Sequence, residues 1–172
     1  MTARLSRPIS VRRIIREEPV TVEASEAERA AIAEALDLVS LDSLTAELTV
    51  RPWRKEGVRV VGTVRADLAQ ACVVTLEPVP SHVEEDFDVR LHPDAVESSS
   101  DVEIDVEAAD PPEPLEGDLV DVGAIALEHF VLGIEPYPRA PGAVFETETD
   151  AVEQTEEPSP FAALAALKDI KH

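Results

Sequence analysis

Between residues 44 and 91 apolar and polar side chains alternate with a period of two, the pattern of strands buried on one face. Leu44, Ala46, Leu48 and Val50 alternate with Thr45, Glu47 and Thr49, and Val58, Val60, Gly62, Val64 and Ala66 with Arg59, Val61, Thr63 and Arg65. Cys72, Val74 and Leu76 make a shorter set. Val83, Phe87, Val89 and Leu91 make a last one, against Glu84, Asp86, Asp88 and Arg90. The links are short: Arg51 to Gly57 ends in a turn glycine, and Glu77-Pro-Val-Pro80 interrupts the ladder. The pattern predicts an antiparallel meander, or a small split barrel if the sheet curls.

Two helices are predicted to pack on these strands, which makes the fold class α+β. Ser25 is placed to cap the first, with Glu28 in the capping-box position and Ile32, Ala35, Leu36 and Val39 forming one apolar stripe. Asp118 or Asp121 caps the second, which runs to about Gly133 with Val122, Ile125, Ala126, Phe130 and Val131 facing inward. Arg7 to Ile15 reads as an earlier strand, and Asp101 to Glu107, alternating acid and aliphatic, as a further one at an edge. Residues 1–145 thus form one domain with an acidic loop around 93–118. Residues 146–158 read as a flexible acidic linker, and 159–172 as a short amphipathic helix with Ser159 as cap and Pro160 at its first position.

Composition adds charge to this picture. Residues 84–157 hold 23 Asp and Glu against only Arg90 and Arg139, whereas the rest of the chain is balanced at 13 of each sign. Such a field repels phosphate backbones and attracts basic partners. A single cysteine, Cys72, excludes an internal disulfide and fits a reducing cytoplasm. No apolar run reaches the roughly 20 residues of a membrane span, and the N-terminus lacks a secretory signal, so cytoplasmic residence without a membrane is expected.

Catalytic motifs are missing: there is no phosphate-cradling glycine loop, HExxH, GxSxG or CxxC. The four histidines are scattered, and Glu128 and His129 diverge by about 100° on a helix, so no metal, cofactor or enzymatic activity is expected. Cys72 reads as a small buried hydrophobe on its strand. Three features suit a partner. Arg51, Trp53, Arg54 and Lys55 gather charge around an aromatic at a hairpin tip, the combination that stacks on unpaired RNA bases; alternatively Trp53 folds back over the sheet. Tyr137 and Arg139 lie in a proline-stiffened loop, where Tyr137 either meets a partner or plugs the core. Phe161 and Leu164 lead the C-terminal helix, which docks on its own domain or in a partner's groove.

The order of Val60-x-Gly62, Ala71-Cys-Val-Val-Thr-Leu-Glu-Pro-Val79, Asp118-Leu-Val-Asp-Val-Gly123 with Glu128, Pro136-Tyr-Pro-Arg-Ala-Pro-Gly-Ala143 and the closing Pro-Ser-Pro-Phe161 to Lys168 resembles the YceD family, in its alphaproteobacterial version. This is the large ribosomal RNA subunit accumulation protein family. The resemblance implies a role in accumulation or maturation of large-subunit ribosomal RNA, with no catalytic residues to transfer. Where many members carry Cys-x-x-Cys, this chain has Cys72-Val-Val-Thr75, so a zinc or redox role of that pair is not expected. Charge and resemblance together lead to a basic ribosomal protein or assembly factor as the expected partner. The alternative is precursor ribosomal RNA bound directly through Arg12, Arg13, Arg51, Trp53, Arg54 and Lys55; a hydrolytic enzyme ranks behind both.

Overall fold

The computed structural model describes residues 4–95 and 111–144. The expected strand at 101–107, the linker 146–158 and the helix 159–172 with Phe161 and Leu164 lie outside the described residues.

Chain order is β1 (Pro8–Ser10), β2 (Glu18–Glu23), α1 (Glu26–Ala35), β3 (Ser40–Trp53), β4 (Gly57–Ala71), β5 (Pro78–His92), β6 (Glu113–Pro114), β7 (Leu119–Asp121) and α2 (Val122–Leu132). The main sheet has the order β2-β3-β4-β5-β6 and stays open; β2 to β5 are antiparallel and β6 runs parallel to β5. Among the described residues the meander forms and does not close into a barrel. β1 and β7 pair separately.

The period-two pattern decides which face is buried. Leu44, Ala46, Leu48 and Val50 of β3, Val58, Val60, Val64 and Ala66 of β4, and Val83, Phe87, Val89 and Leu91 of β5 all turn inward. Ile32 of α1 and Val122, Ile125, Ala126 and Phe130 of α2 join the same core. Each buried Val, Leu, Ile or Phe among them contributes about 1.5–3 kcal/mol. Gly62 sits where Leu48 and Phe87 flank it in register, and a Cβ there would come within 2.5 Å of Leu48 Cβ. Its lack of a side chain is what lets β3 and β4 carry large neighbours at that row.

The capping box forms as expected: Ser25 Oγ accepts from Glu28 N, and Glu28 Oε2 accepts from Ser25 N. α1 ends at Ala35, however, and Asp37 turns into the left-handed region (φ 54°), so Val39 lies beyond the helix and half exposed. Of the two candidate caps for α2, Asp121 is the one used, and its Oδ1 accepts from Gly123 N and Ala124 N.

Several other expectations are corrected. The strand expected over Arg7 to Ile15 covers only Pro8–Ser10, because β7 offers three partners; Val11–Arg13 then turns as a 3-10 helix. β2, with buried Val22, was not anticipated. Cys72 to Leu76 is a turn rather than a strand. Cys72 N donates to Glu77 O and Leu76 N to Cys72 O, with Leu76 at φ 62° and solvent-exposed. Pro78 and Pro80 do not break the ladder; they pair with Ala71 and Ala69 inside β5. Val131 is 41 % exposed rather than inward-facing, and Tyr137 at 72 % exposed does not plug the core.

Candidate functional site

The face of the sheet opposite the core carries the polar partners of each strand, and cross-strand register arranges them in rows. Arg51 of β3 pairs with Arg59 of β4, which pairs with Arg90 of β5, so three arginines lie side by side. Like charges in direct cross-strand pairs destabilise a sheet unless compensated. Compensation comes from Asp88, which accepts from Arg59 Nε at 2.6 Å and from Arg90 Nη2 at 3.4 Å, while Arg51 reaches Glu17 at 3.5 Å. The Asp88 pKa is lowered, chiefly by the hydrogen bond from Arg59. Further along this face Arg65 bridges Glu84 (2.9 Å) and Glu47 (3.1 Å), and His82 meets Asp67 at 2.8 Å.

Beyond the arginine row lies the hairpin tip. Trp53 and His92 meet edge to face with ring centroids 6.1 Å apart, on either side of Gly57. Arg54 adopts a left-handed φ of 53° and stands with its guanidinium carbon 4.2 Å from the Trp53 ring centroid. Lys55 is exposed in the turn. The structure thus brings Arg51, Trp53, Arg54 and Lys55 together as expected and adds Arg59, Arg90 and His92, which sequence reasoning had treated only as the polar half of an alternation. Arg12 lies in the 3-10 turn, paired with Asp118 at 2.7 Å.

Tyr137 and Arg139 do not join this cluster. Both are exposed in the loop after α2, against the far end of β4, roughly 45 Å along the strand from the tip at ordinary strand rise. Pro138 O accepts from Val73 N at 3.0 Å, and Ala140 N donates to Cys72 Sγ at 3.3 Å. Val74 N and Thr75 N also donate to that sulfur, each at 3.4 Å. The amide of Ala140 first, then the side chain and amide of Thr75, pull the Cys72 pKa down to about 6, while its burial acts the other way. Thr75, at the position of the second thiol in a Cys-x-x-Cys pair, thus supplies an amide donor instead.

A cavity of about 370 Å³ opens between the end of β5, β6 and α2, lined by Asp88, Arg90, Glu113, Glu128, His129 and Leu132 among others. His129 is held by stacking on Phe87, centroids 4.8 Å apart. Burial, and secondarily the charge of Glu128, raise the Glu113 pKa. Among the described residues no three His, Cys, Asp or Glu side chains converge closely enough to hold a metal ion, and no helix is long and apolar enough to cross a membrane.

What these features define is an open-sheet α+β protein whose outer face is a charge-paired lattice, with an aromatic and arginine-rich end and an acidic cavity at one edge. Over residues 60–168, more than half its length, the chain matches the large ribosomal RNA subunit accumulation protein family YceD, and it belongs to that family. The match begins within β4 and spans β5, both acidic segments and α2. No curated protein and no solved structure matches the chain. Membership implies a role in the accumulation of large-subunit ribosomal RNA.

Proposed function

We propose that the chain is a non-catalytic cytoplasmic factor in large-subunit ribosomal RNA accumulation that binds a basic ribosomal protein or assembly factor through its anionic surface. The disposition of charge carries this reading. Arg7, Arg12, Arg51, Arg59, Arg65 and Arg90 each already have a carboxylate partner. The surplus that remains is negative, and 12 of the 23 acids in residues 84–157 fall in 96–110 and 145–158. A phosphate backbone would compete with carboxylates for those arginines, whereas a cationic protein is drawn to the surplus of negative charge. Pull-down from lysate at low salt is expected to recover basic ribosomal proteins, which moderate salt then releases as screening rises. Recovery of no basic protein at either salt concentration would sink the reading.

A second reading is direct contact with single-stranded precursor ribosomal RNA at the hairpin tip, favoured by the Arg51–Arg59–Arg90 row beside Trp53 and His92. Gel shifts with Trp53→Ala and Arg54→Glu decide it, since unchanged RNA affinity in both variants rejects the site.

A further inference from the structure

The two edges of the main sheet are not alike. On β2 a proline, Pro19, interrupts the donors, and Arg7 Nη2 takes the carbonyl of Glu23 at 3.0 Å. On β5 the edge away from β4 is paired, among the described residues, only at Leu91 and His92, where β6 adds two residues.

Which β5 groups point to that edge follows from the ladder. The carbonyl of His92 accepts from Leu115 N at 3.1 Å, so His92 faces away from β4. Backbone polar groups of successive strand residues point to opposite sides, and the β4–β5 register runs unbroken from Val58↔Leu91 to Ala71↔Pro78. Arg90, Asp88, Asp86, Glu84 and His82 therefore present N–H and C=O outward as well. Pro78 and Pro80 fall on the same parity, the side on which a proline costs a sheet no hydrogen bond. Those prolines guard the first part of the edge. From His82 to Arg90, roughly 30 Å of strand, no proline or lysine guards it.

We propose that this stretch of β5 takes an extended basic segment of a partner protein as an added strand. Charge selects the occupant: Glu84, Glu85, Asp86 and Asp88 fall within five positions. Although Arg65 bonds Glu84, and Arg59 and Arg90 bond Asp88, the stretch from His82 to Arg90 holds four carboxylates against Arg90 alone. The chain's own alternating segment, Asp101 to Glu107, would set carboxylates against carboxylates across the new pair. A segment with lysine or arginine at every second position would instead lay all its cations over Glu84, Asp86 and Asp88. At its far end it would reach the cavity between Asp88, Glu113 and Glu128. Main-chain bonds supply the affinity in this mode, and the alternate side chains the selectivity. The inference rests on the basic-partner reading and adds where and in what conformation that partner docks.

The test uses the full-length chain and a capped nine-residue peptide of alternating lysine and valine. A second peptide, identical but N-methylated at every second amide, keeps the charge and cannot pair along one edge. The plain peptide is expected to bind and to slow hydrogen exchange at the Glu84, Asp86 and Asp88 amides, and N-methylation to weaken binding at least about tenfold. Equal binding of both peptides without new protection overturns the added strand but leaves the basic-partner reading standing. Binding of neither overturns the edge site, while the pull-down above judges that reading separately. Protection of the same three amides in the protein alone assigns the edge to the chain itself and likewise overturns the proposal.

Discussion

Trp53 and His92 touch edge to face across a strand that puts no side chain between them, because the intervening position is Gly57. A Cβ at Gly57 would lie 2.5 Å from Leu91 O and 2.9 Å from His92 Cδ2. Gly57→Ala is therefore expected to destabilise the fold by about 1–3 kcal/mol through overpacking. Trp53 is the one tryptophan, so a shift in its emission in the folded variant reports separation of the two rings. Unchanged emission and stability would contradict the contact.

The ion pair of Arg7 with Glu28, at 2.8 and 3.0 Å, ties the N-terminal segment to the start of α1. The hydrogen bond from Arg7 first, then that from the Ser25 backbone, hold the Glu28 pKa down to about 2. A carboxyl with a depressed folded value stabilises above its unfolded pKa and loses that contribution as pH falls through the folded one. Glu28→Gln should thus cost about 1 kcal/mol at neutral pH. Its unfolding curve should converge on that of the wild type between pH 4.5 and 2. Parallel curves throughout that window would show that Glu28 is not the titrating group.

Cys72 gives a second window of the same sign at higher pH. Its thiol ionises more readily folded than unfolded, so the stabilisation from its three amide donors is full above the ordinary thiol value of 9.0 and is lost as pH falls through about 6. Urea unfolding of wild type and Cys72→Ala should diverge progressively from pH 6 to pH 9. Because the sulfur is wholly buried, alkylation of the native protein should remain slow across this range and accelerate on unfolding. Fast native labelling at pH 7 would contradict the buried nest.

Asp121 is the join between the two ends of the described chain. Oδ2 accepts from Ser6 Oγ at 2.6 Å, and Oδ1 accepts from Arg7 N at 2.7 Å as well as capping α2. Burial raises its pKa, but the bonds from Ser6, Arg7, Ala124 and Gly123 together outweigh it and leave a lowered value. Asp121→Ala removes a cap and strands the Arg7 amide, and about 2–3 kcal/mol of destabilisation is expected by chemical denaturation. A change below 0.5 kcal/mol, the range of ordinary surface substitutions, would show that the join is ornamental.

Much of this architecture was legible because it depends on short-range pattern. The inward faces of β3, β4 and β5 follow from period two, and the α1 start from Ser25 and Glu28 three residues apart. What failed depends on partners that sequence does not display. Three alternating positions at Cys72, Val74 and Leu76 cannot distinguish a strand from a turn wrapped around a sulfur. Pro78 and Pro80 look like breakers until β5 is known to be an edge and its outward parity is known. The site divides the same way. Arg51, Trp53, Arg54 and Lys55 are neighbours in sequence, but Arg59 and Arg90 reach them only through cross-strand register. Tyr137 and Arg139 needed the loop's docking on Cys72 to place them at the opposite end.

The bonds between Asp121 and Ser6 or Arg7 span 115 and 114 residues of sequence. The antiparallel pairings of β2–β5 lie wholly within residues 18–92, so during synthesis they can form while β1 still waits for its partner strand to leave the ribosome. Loop closure of that length makes the final N-terminal docking a slow, late step. A nascent chain halted before Leu119 should accordingly expose Leu5 and Ile9 to chaperones, and one released after α2 should not.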